Sequence, residues 1–275
     1  MGCAWFGPAK GTNSAKTQSH ERRSLTWRAT GVVALRGKGL TSIPKIAYEQ
    51  GPLVKALDAS HNDIEELDDG ISYLNKMQRL TLSNNKVNLL CDRIVLLSKL
   101  RVLILNDNKI FELPSTIGRL TQLEHLNLEN NNLRSIPESI GYMTRLQTLQ
   151  LGRNRLKSLP ETIGGCHSLE ELDSTKNQLE KLPEYICKLE LLKVLLVDNN
   201  LIEELPQKLF INCAMLATFS IHMNPIETKD VQLVPNFKEY NERRVRQADL
   251  RGGDEGRNPL RPVRTRTPSQ GWRFA

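Results

Sequence analysis

Aromatic residues are scarce in this 275-residue chain: six Phe, five Tyr and three Trp amount to 5%. A core built with so few rings must be packed mainly by Leu and Ile. No run of 18 apolar residues occurs, which excludes a transmembrane helix. The first residues lack an apolar stretch, so no secretory signal is expected. The five histidines, His20, His61, His125, His167 and His222, show no metal-ligand spacing to one another or to cysteine. No phosphate loop, dinucleotide fingerprint or nucleophile elbow is present. The chain is therefore expected not to be an enzyme and to bind no metal or cofactor. His125 and His222 are read as contact residues and not as bases.

Charge is unevenly spread. The formal net charge is +7. Residues 1–28 carry five basic groups against Glu21, and residues 251–275 carry six against Asp254 and Glu255, so each end holds +4. The middle is left at −1. The basic pI thus reports two tails on a near-neutral body. Such tails serve solubility as disordered segments, or they contact an anionic surface. They lack the interleaved aromatics of a single-strand binder, so a membrane surface is the better match and nucleic acid is not expected.

What the chain does have is a period. Asparagine recurs every 23 residues at Asn62, Asn85, Asn108, Asn131, Asn154, Asn177 and Asn200, and again at Asn224 after a step of 24. Around each sits a frame such as Leu126-x-Leu128-x-x-Asn131-x-Leu133. Leu126 and Leu128 alternate across a short strand and point inward. An asparagine amide carries two donors and an acceptor, so the series is expected to form a ladder bonding the backbone of its own coil and of the next. Pro137 ends the extended run and opens a return segment. This is the length and pattern of a leucine-rich-repeat solenoid. Nine copies are counted, the first with Lys38 in place of asparagine. The expected fold is an α/β solenoid, a horseshoe with a parallel concave sheet on the order of 38 Å long at strand spacing. Residues 236–248, with Phe237, Tyr240 and Val245, are expected to form a C-terminal capping helix, with Pro235 just inside its start. The domains follow: a basic flexible N-terminal tail at 1–28, the repeat domain with its caps at 29–248, and a basic disordered tail at 249–275.

In each copy the residues between and after the framework leucines face out of the concave sheet. The candidate protein-binding residues are Asp58, Arg79, Val102, Ile104, His125, Asn127, Glu129, Gln150, Arg153, Glu171, Asp173, Val194, Leu196, Asp198 and His222. Val102 with Ile104, and Val194 with Leu196, are apolar pairs on a face that meets water. They either anchor a partner or reflect the strand preference of β-branched residues. Four coils, roughly 19 Å, separate them. A partner touching both would have mixed polarity.

Two modification sites lie in the tails. Met1-Gly2-Cys3 offers Gly2 for myristate and Cys3 for palmitate, although Phe6 stands where the pattern wants Ser or Thr. One acyl chain binds membranes marginally, and a second chain or basic residues stabilise the anchor. Arg264-x-Arg266-Thr267-Pro268 has the form of a proline-directed phosphorylation site at Thr267. Phosphate there would remove roughly half of the tail's positive charge.

The frame L-x-x-L-x-L-x-x-N-x-L-x-x-L-P-x-x-I resembles the 23-residue class of intracellular leucine-rich-repeat proteins. That class includes the plant Ras-group-related proteins and the Ras-pathway scaffold similar to them. Trp27-Arg28-Ala29-Thr30-Gly31-Val32-Val33 looks like the beginning of a small plant-type member. Ser220-Ile221-His222-Met223-Asn224-Pro225-Ile226, followed by Phe237, Tyr240 and Glu242-Arg243-Arg244, looks like the end of the same group and of the leucine-rich-repeat-containing protein 57 family. The departures are Lys38, the missing Pro after Leu67 and Leu90, and the Arg-rich tail after Leu250. The paired cap cysteines usual in secreted relatives are not seen among Cys3, Cys91, Cys166, Cys187 and Cys213. The resemblance implies a monomeric cytoplasmic scaffold or adaptor in signalling, held at a membrane if acylated. The alternative it leaves open is a regulatory subunit of a small-GTPase pathway or of a protein phosphatase.

Overall fold

The structure is a computed structural model that describes residues 24–250, with side chains described to residue 246. Gly2, Cys3 and Thr267 lie outside the described residues. Nine parallel strands, from β1 (Val32–Ala34) to β9 (Thr218–Ser220), form one sheet in strict sequence order. Each strand is three residues long and pairs with its neighbours in a register set by the repeat, so Leu80, Leu103, Leu126, Leu149, Leu172 and Leu195 align in one row. All of that row is buried, and Val33 and Phe219 close it at the ends. One coil alone could not bury this row, but each neighbour covers it, which is the basis of solenoid stability.

The return segments tighten into short 3-10 turns, such as Glu138–Tyr142 and Glu161–Gly165. Pro137, Pro160 and Pro183 sit just before these turns at φ between −62° and −68°. Where proline is missing, Asp68 and Cys91 adopt the same extended conformation, and Asp68 accepts a hydrogen bond from the Gly70 N–H at 2.7 Å. The departures after Leu67 and Leu90 therefore leave the path of the chain unchanged. Successive turns stack so closely that a Cβ on Gly118 or Gly141 would collide with the carbonyl oxygen of Ser139 or Thr162 in the next coil. These glycines are required by proximity, because their φ is not positive.

Both ends are capped. Residues 24–30 are helical (α1), and Trp27 is buried against the first coil. The expected boundary at residue 29 therefore cuts this helix, which joins residues 24–28 to the repeat domain. A short helix follows in the first coil (α2, Lys45–Tyr48), and another in the last return segment (α3, Leu209–Asn212). At the far end, Thr228–Leu233 (α4) and Phe237–Leu250 (α5) fold over β9. Pro235 lies outside α5, because Asn236 takes φ 62° and the helix starts at Phe237. Four aromatic rings cluster here. Phe210 packs on Phe219, Phe237 and Tyr240 at centroid distances of 5.4, 5.3 and 5.0 Å. The Tyr240 hydroxyl accepts a hydrogen bond at 3.0 Å from the Phe219 N–H, a donor on the last strand that no tenth strand meets. Among the described residues no helix is long and apolar enough to cross a membrane.

Candidate functional site

The ladder asparagines occupy the end of each strand. Asn131 shows the pattern: its Nδ2 donates to the carbonyls of Leu128 and Glu129 in its own coil and of Leu105 in the coil before, at 3.0, 3.2 and 3.0 Å. Its Oδ1 accepts from the Ile110 N–H, also in the preceding coil, at 3.0 Å. Asn85, Asn108, Asn154, Asn177, Asn200 and Asn224 repeat the arrangement. Asn62 meets the atypical first coil, accepting from the Lys38 and Leu40 N–H groups. The inter-coil bonds thus run backward along the chain, and not to the next coil as expected. They satisfy backbone groups that stacking has removed from water. The ladder is consumed in holding the solenoid.

Just before each ladder asparagine is a residue in the left-handed region: His61, Asn84, Asp107, Asn130, Arg153, Lys176, Asn199 and Met223, all with φ between 54° and 57°. Asn and Asp tolerate this conformation best. Asn84, Asp107, Asn130 and Asn199 fill half of these positions, a signal legible in the sequence one place before the ladder. The conformation turns these side chains outward, so most of them project as an exposed row along one rim of the sheet.

The open face of the sheet carries the candidate residues. Arg79, His125 and Arg153 are exposed, and Asp58, Ile104, Asn127, Glu129, Gln150, Glu171, Asp173, Val194, Leu196, Asp198 and His222 are half-buried. Val102 is the correction: it is only 8% exposed. It stands in register between Arg79 and His125, two longer side chains that flank a short branched one. The expected apolar pair in β4 (Val102–Ile104) therefore reduces to Ile104, whereas β8 (Val194–Leu196) presents both of its members.

Several candidates are partly engaged in holding strand ends. Asp58 Oδ1 accepts from the Ser60 N–H and Oγ–H at 3.0 and 2.6 Å. Asn127 and Asp173 accept from the N–H two residues on, in Glu129 and Thr175, at 2.9 Å each. Asp198 accepts from Ser220 Oγ–H and from the His222 N–H. The D-x-S, N-x-E and D-x-T spacings encode these turns. Glu129 is instead paired with Arg153, and Glu171 accepts a hydrogen bond from the Gln150 side chain.

Electrostatically the C-terminal half of the face is acidic with basic insets. Burial pushes the Glu129, Glu171 and Asp173 carboxyls upward. The charge of Asp173 adds to the rise at Glu129, and that of Asp198 to the rise at Asp173. Arg153 opposes it, with its Nε 3.5 Å from Glu129 Oε1. Among the described residues no group of three His, Cys, Asp or Glu could hold a metal ion. Burial raises the thiols of Cys166 and Cys213 to about 12 and that of Cys187 to about 11, so these cysteines are buried packing residues.

Nine coils, eight of them with a backbone-satisfying asparagine at the strand end, define a leucine-rich-repeat solenoid. The leucine-rich repeat region family matches residues 52–150 and 88–178. The chain is similar to plant intracellular Ras-group-related LRR protein 7 of Oryza sativa subsp. japonica, with 37% identity over 82 residues, 30% of this chain and 28% of that protein. In structure it is similar to a leucine-rich-repeat protein of Leptospira interrogans, at TM-score 0.70 and 29% identity, covering 74% of this chain and 53% of that one. It is similar too to the leucine-rich-repeat ectodomain of a plant membrane receptor kinase from Arabidopsis thaliana in complex with Casparian strip integrity factor 2. There the TM-score is 0.66 and the identity 27%, covering 74% of this chain and 26% of that one. The match thus spans under a third of the length of the rice relative, about half of the bacterial chain and about a quarter of the plant ectodomain.

Proposed function

We propose that this protein is an intracellular scaffold or adaptor in signalling that binds a partner protein on the concave face of its sheet. The fold and the relatives support a protein-interaction role in general. The observation that carries the specific reading is the uncovered face of β4 to β8. Ile104, Val194 and Leu196 are half-exposed there beside Gln150 and Glu171, on a rigid backbone whose own hydrogen bonds are met. Half-exposed apolar groups among polar ones are the pattern of a protein contact, in which a few apolar anchors are ringed by polar groups.

The test is affinity purification with Ile104→Lys, Val194→Glu and Leu196→Glu combined, after circular dichroism shows the fold intact. The reading expects loss of specific partners, and an unchanged partner set would remove it. A second reading is favoured by the Ras-group-related name of the rice relative. In that reading the partner is a small GTPase, or a phosphatase, whose activity the scaffold regulates. Adding wild-type protein to the captured partner then changes the partner's turnover, and the triple variant does not.

A further inference from the structure

A groove of about 840 Å³ lies away from the sheet, between the return segments of the first and second coils. Its walls come from α2 and the following Gly51–Leu53 turn on one side, and from the Asp69–Tyr73 turn on the other. Gly70 is needed for it. A Cβ there would stand 2.6 Å from the Tyr48 ring, so glycine lets that ring seat against the second coil.

The lining combines flat apolar surface with carboxylates. Tyr48, Pro52 and Tyr73 supply the apolar part, and Tyr73 is 68% exposed. Glu49 and Asp68 supply negative charge, and neither has an ion-pair partner among the described residues. Asp69 is already paired with Arg93 at 2.8 Å, and Lys45 stands at the rim. The Tyr48 hydroxyl is buried and faces the Asp68 carboxylate. Burial and the Asp68 charge both hold this phenol in its protonated form. The groove thus offers the exposed ring of Tyr73, the apolar edge of Pro52 and two carboxylates free of ion pairs.

The geometry points to a docking site for an arginine-bearing segment of a partner protein in this groove. A guanidinium is flat, stacks on a tyrosine face and meets a carboxylate with two parallel N–H bonds. Its aliphatic stem suits Pro52 and the ring of Tyr73. The volume exceeds that of one side chain, so the occupant is a segment and not an isolated residue. The site is separate from the concave face, so a partner bound at one leaves the other free, as a scaffold requires.

The experiment titrates the full chain with acetyl-Arg-Arg-Arg-amide and with its citrulline counterpart, which keeps the shape and loses the charge, following backbone amide shifts. Saturable shifts at Gly51, Gly70 and Tyr73 with the arginine peptide alone are expected. Asp68→Asn, which retains the oxygen that accepts from Gly70, should weaken binding at least five-fold. Tyr73→Ala, at an exposed position that the fold does not need, should do the same. Equal binding of the citrulline peptide, or shifts that both variants leave unchanged, overturns the proposal. A further full-length variant replaces Lys10, Lys16, Arg22 and Arg23 with glutamine. A rise of more than five-fold in its peptide affinity would make the chain's own N-terminal segment the occupant and overturn the assignment to a partner. An unchanged affinity supports it.

Discussion

Replacing Asn131 with alanine tests what holds the coils together. The side chain makes three donor contacts and one acceptor contact, two of the four reaching into the preceding coil. Alanine leaves the fully buried Ile110 N–H without its acceptor, whereas the Leu105 carbonyl keeps its second donor, Asn108 Nδ2 at 3.0 Å. The orphaned N–H costs about 1–3 kcal/mol and the lost bonds to carbonyls that keep other donors add about 1 kcal/mol, so the expected loss is about 2–4 kcal/mol. The sequence supplies its own control. Asn132 next door makes one long, exposed contact, 3.4 Å to the Lys109 carbonyl. Asn132→Ala should therefore cost below about 0.5 kcal/mol. Urea unfolding followed by far-ultraviolet circular dichroism gives both values, and the Ile110 amide should exchange faster in the first variant alone. If the two variants lie within about 1 kcal/mol of each other, the backbone argument for the ladder is wrong.

Three further outcomes follow from the packing. Gly141→Ala would place a Cβ 2.3 Å from the Thr162 carbonyl oxygen, whereas Gly118 faces a still closer neighbour and Gly37 faces open space at φ 61°. Gly141→Ala should cost about 1–3 kcal/mol through steric displacement, read as a fall in Tm with no change in concave-face binding. Tyr240→Phe removes the acceptor of the Phe219 N–H and should cost about 1–3 kcal/mol in urea unfolding. The same group gives a pH signature. Burial raises its pKa from 10 to about 12 in the folded state. Its contribution is full below pH 10 and is lost as pH rises toward 12, so wild type should lose more stability over that window than Tyr240→Phe. Lys176→Asn puts a tolerant residue at φ 55° and should stabilise by about 0.5–1 kcal/mol, whereas Asn130→Lys at the equivalent place should destabilise.

The nine-strand sheet was legible because a 23-residue period leaves one way to stack Leu80 through Leu195 in a row. The capping role of α1 was not, because the helix is only seven residues long, follows a basic stretch and has Trp27 as its one buried residue. Helix α4 was missed because it is six residues long and has one buried residue, Val231. On the face itself, strand alternation identified which residues look outward. It could not show that Val102 is covered, since that depends on Arg79 and His125, each 23 residues away. Nor could it show that Asp58 and Asp173 hold strand-end turns or that Asp198 bridges to the next coil. The outer groove was invisible for the same reason, since Tyr48 and Gly70 meet only once two coils are stacked.

The most direct test of the central claim is site-specific photocrosslinking in cells. A benzophenone side chain is placed at Gln150, in the middle of the concave sheet, and in a second protein at exposed Glu190 in a return segment. The account predicts that one protein partner is captured from position 150 and is not captured from position 190. Capture of that partner from position 190 and not from 150 would contradict it.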